Sequence, residues 1–511
     1  MFEFLKRKPT ATSSRKSNSI TLNRGDYQAL KQRAFDAAKQ SRLRTEWTTE
    51  NQSIDYETRT GLATLRARSR DAEANNGTAK KYFDMAEKNV AGPFGFTLFV
   101  RAMQQDGVTV DKDDSKAIRD AFYDWAKPGN CDVTGKLSFT AIQQIMTRAR
   151  FRDGEYLVRV HRGAAYGKYG LQLQLLDTDR LDIELNKALP NGNVIRMGVE
   201  MDGNQKPIAY YIRVRHPGDM SYYGGGGGNV YERVPASDIH HHFKAKRPEQ
   251  TRGVPEAHAA LITMEHGHKF KEAALVAAEE GAKQGGFWTS EDGTAEGLAD
   301  DEDEQGTLYT DVETGQIGVA PPGYEFSQYE SKYPSDMYGA FVKENKRDIA
   351  SSLDVAYHVL GNDLEGVNFS SIRAGTLDER DGWMTHQEWF KEAFLDPLYT
   401  DWITMSLLMC AIKDRAGKAL PSFRIGKYKD AAVWMGRRWP WVDPFKDMQT
   451  AVLGVNNRLK TRTQVMNENG NDFDDSIEEM RAEDEKMKAA GVVVAQPAPK
   501  NAAPPQQADD E

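Results

Sequence analysis

Three consecutive histidines, His240, His241 and His242, are candidate metal ligands in this 511-residue chain. Neighbouring side chains of a β-strand point to opposite faces, so only His240 and His242 could share one ion. A tetrahedral zinc site needs further ligands, and the sequence places no cysteine or carboxylate pair beside these histidines. We therefore expect no metal site here, and we expect the protein to use no cofactor.

A carboxylate cluster could also support chemistry. Asp177, Asp179 and Asp182 are close enough in sequence to act together in acid–base catalysis. Such catalysis needs a nucleophile or a partner histidine, and neither occurs nearby in the sequence. Carboxylates at this spacing are also common in turns, where they bond the local backbone and meet water. A turn with solvated charges is the favoured interpretation.

Two loops have a composition that ligand-binding motifs share. The glycine run at 224–228 lacks the Gly-Lys-Ser/Thr and the following helix of a phosphate-binding loop, so it predicts a hairpin tip. The asparagine-rich turn at 467–472 loosely resembles a calcium loop, but Asp472 occupies the position of the obligatory glycine. We expect neither loop to bind a ligand.

Two basic stretches could contact nucleic acid. Lys343, Lys346 and Arg347 are spaced at i, i+3 and i+4, which places them on one polar face of a helix. They are candidates for transient contacts with phosphate groups. The segment 434–441 interleaves tryptophans with arginines, which could stack bases. Pinning of a loop against the core is the favoured interpretation of that segment.

The composition limits the class of protein. The chain carries a formal net charge of −9 and has a sequence pI of about 5.7. Tight binding of duplex DNA needs many contacts between basic side chains and phosphates, so the acidity argues against a protein whose main task is to hold nucleic acid. It does not argue against a conduit, in which weak contacts let DNA slide. The length predicts about three domains.

The cysteines and the hydropathy pattern indicate a cytosolic protein. Cys131 and Cys410 form no recognisable pair or motif, so we expect two buried, reduced thiols. The most apolar run, 403–412, is far shorter than the ~20 residues that span a bilayer. Residues 1–16 are basic but lack the apolar core of a signal peptide. We expect no membrane segment.

Helices and strands alternate in blocks along the chain. Helical patterns occupy 59–90, with Thr78 as a plausible N-cap, and a long helix is predicted at 256–283. Between these, from Glu155 onward, the apolar pattern has a period of two, which is typical of half-buried strands. An antiparallel sheet or a small barrel is the natural result. About six strands are predicted, at 156–161, 171–175, 194–201, 208–214, 230–234 and 239–243.

The stretch 337–380 predicts the element around which the rest is organised. Apolar residues recur at helical spacing as far as Leu360, and Gly361 follows where a left-handed residue usually ends a helix. At ~1.5 Å per residue this helix would span roughly 36 Å. A loop follows, and a second helix is expected to begin near Thr376 and to break at Asp396-Pro397. The predicted helix that ends at Leu360 and the predicted helix at 256–283 would together form a long helical shaft in each chain.

The loop in this stretch resembles the tunnel loop of the portal proteins of tailed bacteriophages, specifically the lambda-type family. In that family the loop carries an Asn-aromatic-Ser-Ser-x-Arg signature. The aromatic residue in this sequence is Phe369, where a tyrosine is common in the family. Phenylalanine keeps the aromatic ring but lacks the hydroxyl donor of tyrosine. The resemblance extends roughly over residues 60–490. The tunnel-loop residues that it implies are Asn362, Asp363, Leu364, Glu365, Val367, Asn368, Phe369, Ser370, Ser371 and Arg373.

The resemblance implies an α+β portal fold with an α-helical stem and crown, a β-rich wing barrel and a small α/β clip, assembled as a ring. Within the clip, an acidic run is either a solvated loop or an electrostatic docking surface. That run comprises Asp300, Asp301, Glu302, Asp303 and Glu304. The implied parts are an arm (1–60), the wing (61–255), a stem helix (256–285), the clip (286–334), a stem helix (335–360), the tunnel loop (361–375), kinked wing helices (376–444), crown helices (445–490) and a disordered tail (491–511).

The resemblance also implies a function without catalysis. Twelve copies would form a ring at one capsid vertex, and double-stranded DNA would be packaged and ejected through its channel. The implied partners are the terminase large subunit, the major capsid and scaffold proteins, and a head–tail connector. The protein would reside in the virion, and in the host cytoplasm during assembly. Two alternatives stay open: another head–tail connector or minor capsid protein, and a nucleic-acid packaging enzyme, although no P-loop sequence is present.

Overall fold

A computed structural model describes residues 48–219, 230–282, 286–290, 301–302, 308–309, 324–328, 337–365, 369–439 and 443–491. The chain divides into two compact units, Met1–Ser53 and Ile54–Glu511. Residues 48–53 of the first unit are described, and they form no helix or strand. The elements named below belong to the second unit.

The second unit mixes helices with separate antiparallel sheets, which confirms the predicted α+β class. Its α-helices in the described ranges are α1 (Ile54–Asn75), α2 (Gly77–Val90), α3 (Lys112–Trp125), α4 (Phe139–Arg152), α5 (Leu261–Ala282), α6 (Tyr338–Ser352), α7 (Tyr357–Gly361), α8 (Phe369–Phe390), α9 (Asp396–Leu408), α10 (Ile425–Tyr428), α11 (Pro444–Asn456), α12 (Arg462–Glu468) and α13 (Phe473–Ala489). Its strands there are β1 (Thr97–Val100), β2 (Tyr156–Arg162), β3 (Leu171–Leu176), β4 (Lys187–Ala188), β5 (Val194–Arg196), β6 (Val199–Met201), β7 (Pro207–Arg213), β8 (Tyr231–Pro235), β9 (Ile239–His242), β10 (Gly286–Ser290), β11 (Asp301–Glu302), β12 (Leu308–Tyr309), β13 (Tyr324–Gln328) and β14 (Ala432–Met435).

The first two helices start at other residues than predicted. Helix α1 begins at Ile54, inside the predicted arm 1–60. The N-cap of α2 is Asn76 and not Thr78, because the Asn76 side chain accepts hydrogen bonds from the first backbone N–H groups of the helix. Its Nδ2 also donates to the carbonyl oxygen of Met264 at 3.1 Å. This long-range bond favours Asn76 over Thr78 as the N-cap. The local sequence pattern does not reveal the bond.

The predicted strands form two antiparallel sheets, ordered β3–β2–β9 and β4–β5–β6–β7–β8, and not one barrel. The predicted strand 194–201 is a hairpin of β5 and β6, because Met197 and Gly198 have positive φ angles of 46° and 85° in the turn between them. Two central residues with positive φ make the turn type that matches the twist of paired strands. The glycines at 224–228 lie outside the described residues, in the connection between the antiparallel neighbours β7 and β8.

An aromatic core joins distant parts of the chain. The Phe122 ring on α3 contacts Phe139 of α4, Trp402 of α9 and Trp434 of β14. Strand β14 pairs with β1 at the edge of this core. Burial of Trp434 favours the loop-pinning interpretation of the segment 434–441. Two smaller cores lie among α2, α5, α6 and α8, and between the two sheets that contain β2 and β7.

The helix predicted at 335–360 is shorter and interrupted. Helix α6 ends at Ser352, Asp354 adopts a positive φ of 55°, and α7 begins at Tyr357. The Ser352 hydroxyl donates to the carbonyl oxygen of Asp348 at 2.9 Å, and such local bonds compete with propagation of a helix. The uninterrupted helix has 15 residues and therefore spans roughly 22 Å instead of roughly 36 Å.

The loop after α7 is also shorter than predicted. The left-handed residue that ends α7 is Asn362, with a φ of 50°, and not Gly361; asparagine tolerates this conformation better than other non-glycine residues. Helix α8 begins at Phe369 and not near Thr376. Residues 366–368 lie outside the described part. An ion pair to α11 holds the first turns of α8, which is a tertiary contact that local sequence does not signal.

Helices α8 and α9 follow each other without the break predicted at Asp396-Pro397. A π-helical turn, Lys391–Leu395, joins them, and Pro397 lies in the first turn of α9. Proline has no N–H and would leave a carbonyl group unpaired inside a regular α-helix. The π-helical turn changes the hydrogen-bond register just before the proline, so the helical path continues.

The stretch 445–490, which the resemblance assigns to crown helices, contains α11, α12 and α13. Helix α11 is separate from α12, because Arg458 has a positive φ of 58° and Thr461 starts α12 in a capping box with Gln464. Helix α13 has no buried residue. Ion pairs join α13 and its N-cap to earlier parts of the chain. These pairs are Arg101–Asp472, Lys112–Glu478 and Arg119–Asp475.

The two cysteines have different environments. Cys131 is buried, and burial raises the pKa of its thiol to about 12. Cys410 is exposed, which corrects the prediction that both are buried, because it lies in the turn that follows α9. Within the described ranges, every helix is too short or too polar to cross a bilayer.

Candidate functional site

One carboxylate fixes the base of the predicted tunnel loop to α6 and α7. Asp363 Oδ2 accepts a hydrogen bond from the Tyr357 hydroxyl at 2.6 Å and lies 2.9 Å from Lys343 Nζ. Its Oδ1 accepts from the backbone N–H of Glu365 at 2.9 Å. These bonds, first that of Tyr357 and then that of Lys343, hold the pKa of the Asp363 carboxyl well below its ordinary value. The group is therefore charged at neutral pH and keeps the loop base against the helices.

The neighbouring residue connects the loop to α2. Asn362 Oδ1 accepts a hydrogen bond from Lys81 Nζ at 3.1 Å. The next residues turn outward, and Leu364 is 65 % exposed. Val367 and Asn368 lie outside the described residues. The described part of the loop thus has an anchored base and an exposed continuation.

The rest of the predicted signature belongs to a helix. Phe369, Ser370, Ser371 and Arg373 all lie in the first turns of α8. Arg373 Nη2 donates to Asp447 Oδ1 at 2.6 Å, which attaches this end of α8 to α11. The structure therefore places Asn362 against α2, Asp363 against α6 and α7, and Arg373 against α11.

The three predicted phosphate contacts on α6 have different environments. Lys343 is paired with the loop carboxylate described above. The Arg347 guanidinium lies 3.3 Å from Glu344 and 5.4 Å from the centre of the Tyr357 ring. Lys346 lines a cleft shared with α2 and α5. The three side chains therefore share one helix, but only Lys346 lines the cleft.

The predicted docking residues lie mostly outside the described part of the chain. Asp301 and Glu302 form β11, which pairs antiparallel with β12. Strands β10 and β13 form a second antiparallel pair in the same insertion. The remaining acidic residues, Asp300, Asp303 and Glu304, fall outside the described residues.

Two of the three predicted carboxylates meet a histidine that the sequence pattern missed. His216 Nε2 lies 3.7 Å from Asp177 Oδ1 and 3.9 Å from Asp179 Oδ2. Asp182 lies apart with its own arginine partner. In the described ranges this trio is the group with metal-ligand spacing, but the Arg70 guanidinium donates to both carboxylates. Arg70 therefore already supplies the compensating positive charge, which favours a structural ion cluster.

The consecutive histidines lie on two faces, as predicted. His242 Nε2 and His240 Nδ1 are 3.3 Å apart, whereas His241 Nε2 lies on the opposite face, 3.0 Å from Glu155 Oε2. Burial lowers the pKa of His240 to about 4 and that of His242 to about 3. Both rings are therefore neutral at neutral pH, and the His240 ring packs against Phe394.

A buried ion cluster, which sequence reasoning missed, joins α1 to both sheets. Glu155 Oε1 lies 2.5 Å from Arg66 Nη2 and 2.6 Å from Arg252 Nη2, and the three side chains are at most 2 % exposed. Arg252 also donates to the backbone carbonyl groups of Leu181 and Met197. Removing one partner from such a cluster leaves an uncompensated buried charge.

Two glycines let the segments that carry this cluster cross in contact. A Cβ on Gly154 would lie 2.2 Å from the carbonyl carbon of Val254, and one on Gly253 would lie 2.2 Å from the carbonyl oxygen of Gly154. No side chain fits at these distances without movement of the backbone. The sequence signal is a glycine beside a charged residue in each phrase, Gly154-Glu155 and Arg252-Gly253.

Comparisons with known proteins agree with the resemblance. A family profile described as phage portal protein, lambda family, matches residues 40–387. The probable portal protein of Halomonas phage phiHAP-1 is 34% identical over 492 residues, which cover 95% of this chain and 90% of that protein. The portal protein of Escherichia phage N15 and portal protein B of Escherichia phage lambda are each 20% identical over 483 residues, which cover 87% of this chain and 88% of each relative.

Solved structures are more distant. A chain from the neck of an empty GTA particle, computed with C6 symmetry, has 14% identity and a TM-score of 0.44, over 78% of this chain and 91% of that chain. A chain from the virion of a native gene transfer agent particle has 12% identity and a TM-score of 0.40, over 79% and 91%. The family profile covers more than half of this sequence, and the Halomonas phage relative covers nearly all of it. The chain therefore belongs to the lambda family of phage portal proteins.

Proposed function

We propose that this portal protein assembles as a ring of twelve copies at one capsid vertex, with a channel through which double-stranded DNA is packaged and ejected. The number of copies follows the resemblance to lambda-type portals. The observation that carries the proposal is the anchored loop, because Asp363 and Asn362 tie its base to α6 and α2. In a ring, twelve such loops on fixed supports would surround the DNA.

Weak electrostatic contact suits such a channel. The chain has a net charge of −9, and Asp363 neutralises Lys343 at the loop base. Each phosphate that a basic side chain neutralises strengthens binding, so fewer unpaired basic groups near the loop favour sliding over holding. We assign the remaining transient phosphate contacts to Lys346 and Arg347.

Helices α5 and α6 would form the stem of each subunit. They pack through Phe270, whose ring lies 5.7 Å from that of Tyr338 and 4.8 Å from that of Phe341. The insertion between them, 286–334, would be the clip, and its acidic run 300–304 would be an electrostatic docking surface. The partners there would be the terminase large subunit during packaging and the head–tail connector afterwards.

The remaining assignments follow from the same proposal. The major capsid and scaffold proteins would contact the outside of the ring. The assembled protein would reside in the virion, and newly made subunits in the host cytoplasm. Its role would be structural, with catalysis supplied by the packaging motor.

Negative-stain electron microscopy of the purified chain tests the ring. End-on class averages should show about twelve subunits around a hole slightly wider than a DNA duplex. An assay of ATP hydrolysis on the same sample should detect no turnover. Compact monomers that hydrolyse ATP would contradict the proposal and favour a packaging enzyme.

A further inference from the structure

A cleft of about 300 Å³ lies between the start of α2, the middle of α5 and the second half of α6. Its lining includes Lys81, Lys271 and Lys346, one lysine from each helix. His268 and Asn362 line it as well, whereas no aspartate or glutamate does. Three elements that are distant in sequence therefore contribute positive charge to one cleft.

Within the described residues, lysines near the cleft form ion pairs with aspartate or glutamate side chains, whereas the lysines that line the cleft do not. Lys81 bonds the uncharged side chain of Asn362. In the part of the chain that the structure describes, Lys271 and Lys346 form no ion pair with a carboxylate. The neutralised neighbours on the same three helices are Lys80 with Asp84, Lys269 with Glu265 and Lys343 with Asp363.

Close packing of α5 and α6 forces two of these charges together. A Cβ on Gly267 would lie 2.5 Å from Asn345 Oδ1, so the absence of a side chain lets the helices approach. Lys271 is one turn beyond Gly267, and Lys346 follows Asn345. Burial and the Lys346 ammonium lower the pKa of Lys271. Like charges repel more strongly in a half-buried site than in bulk water, and a bound anion would relieve this repulsion.

We infer that this cleft binds a phosphate group through the ammonium groups of Lys81, Lys271 and Lys346. A phosphate group offers up to two negative charges and several strong acceptor oxygens, and lysine binds it as a point charge. The volume lies at the lower end of that of ligand sites, so a phosphate group fits with its water molecules. Free phosphate and the phosphates of a DNA backbone supply the same chemistry, and the second source rests on the proposed function.

Lysine labelling of the full-length wild-type protein tests the site without any substitution. Acetic anhydride is applied with inorganic phosphate or with chloride at equal ionic strength, because salt alone screens surface charge, and mass spectrometry follows each lysine. Phosphate at ten times its Kd should slow labelling of Lys271 and Lys346 by about tenfold and leave Lys269 unchanged. If each of the three lysines were labelled at the same rate in phosphate as in chloride, the inference would be overturned.

Calorimetric titration with inorganic phosphate compares matched variants. Lys271→Met and Lys346→Met remove the charge and keep an unbranched apolar chain, and Lys269→Met does the same at an exposed position of α5. The first two should bind phosphate at least about tenfold more weakly, since a bond to a charged group contributes at least about one decade of affinity. The third should match wild type. Equal affinities would overturn the site, and circular dichroism shows whether each variant is folded.

A short DNA duplex, followed by fluorescence anisotropy, separates the two sources. Parallel losses of phosphate and duplex affinity in Lys271→Met and Lys346→Met would identify the DNA backbone as the source. Loss of phosphate affinity alone would identify free phosphate. If the protein forms rings that bind no phosphate, this site is refuted and the proposed channel is not. If it forms monomers that bind phosphate, the site is supported and the proposed ring is refuted.

Discussion

Among single residues, Gly154 and Gly129 share a backbone conformation but not an environment. Their φ angles are 90° and 88°. A Cβ on Gly154 would lie 2.2 Å from Val254, whereas one on Gly129 would meet nothing within 4 Å. Substitution of Gly129 therefore costs left-handed strain alone, about 1–2 kcal/mol. Substitution of Gly154 adds a collision between two backbones beside the buried Glu155 cluster.

We expect Gly154→Ala to lower the free energy of unfolding by at least about 2 kcal/mol more than Gly129→Ala does. Urea denaturation of both variants and wild type measures the difference, with Gly129→Ala as the matched control. Equal losses would mean that the segments carrying Gly154 and Val254 can separate at little cost, contrary to their close contact.

His386 should give the protein a measurable sensitivity to acid. Burial, followed by the positive charges of Lys244 and Arg150, lowers the pKa of His386 to about 3. An unfolded histidine has a pKa near 6.5, so the unfolded chain binds the proton first as the pH falls. The contribution of His386 is therefore complete above about pH 6.5 and is lost progressively towards pH 3.

We expect His386→Phe to lose less stability than wild type between pH 7 and pH 5, by up to about 2 kcal/mol. Phenylalanine cannot be protonated and retains a ring beside Phe151, whose centroid lies 4.9 Å from that of His386. Urea denaturation at both pH values measures this difference. The buried His240 and His242 are present in both proteins, so their contributions to the loss of stability cancel in the comparison. Parallel losses in the two proteins would exclude His386 as a source of acid sensitivity.

Among elements, the tunnel loop depends on the bond network of Asp363. We expect Asp363→Asn to speed amide hydrogen exchange at 357–365, because the amide cannot pair with Lys343 as a charge and accepts the Tyr357 hydrogen bond less strongly. Asp378→Asn, at an exposed position of α8, is the control and should leave amide exchange at 357–365 unchanged. Unchanged exchange in Asp363→Asn would show that other contacts fix the loop base.

Helix α13 should respond to salt more than any buried element. It buries no residue, and ion pairs to α3 and to Arg101 connect it to the rest of the unit. The two pairs to α3 are exposed, and exposed ion pairs are weak and are screened by salt. We expect limited proteolysis within 473–489 to accelerate several-fold at 1 M salt, which shortens the Debye length to about 3 Å. A salt-independent cleavage rate would contradict electrostatic docking.

Elements whose pattern is local were predictable, and their ends were not. The period of two from Glu155 onward predicted β2 and β3, because alternation directly reflects which side chains face a core. The starts of α2 and α8 were missed, because Asn76 bonds Met264 and Arg373 bonds Asp447. Both bonds connect residues that are far apart in sequence.

At the scale of the whole molecule, the resemblance to lambda-type portals implied the fold class that the structure has, whereas the grouping of basic side chains in space was not predicted. Sequence spacing grouped Lys343, Lys346 and Arg347, but folding places each in a different environment. The cleft takes Lys346 together with Lys81 and Lys271 from two other helices. No periodicity of one helix could predict that grouping, since it arises from how three helices pack.

The pairing of β1 with β14 has a consequence for synthesis on the ribosome. Residues 97–100 pair with 432–435, about 330 positions later, and translation adds roughly 5–20 residues per second. The largest core therefore waits tens of seconds for its last strand, and until then β1 lacks its partner in this two-stranded sheet. A chain that terminates early never acquires that strand. Closure of this core thus requires that the ribosome has passed residue 435, and a product truncated before that residue keeps an unpaired strand that can pair with another chain.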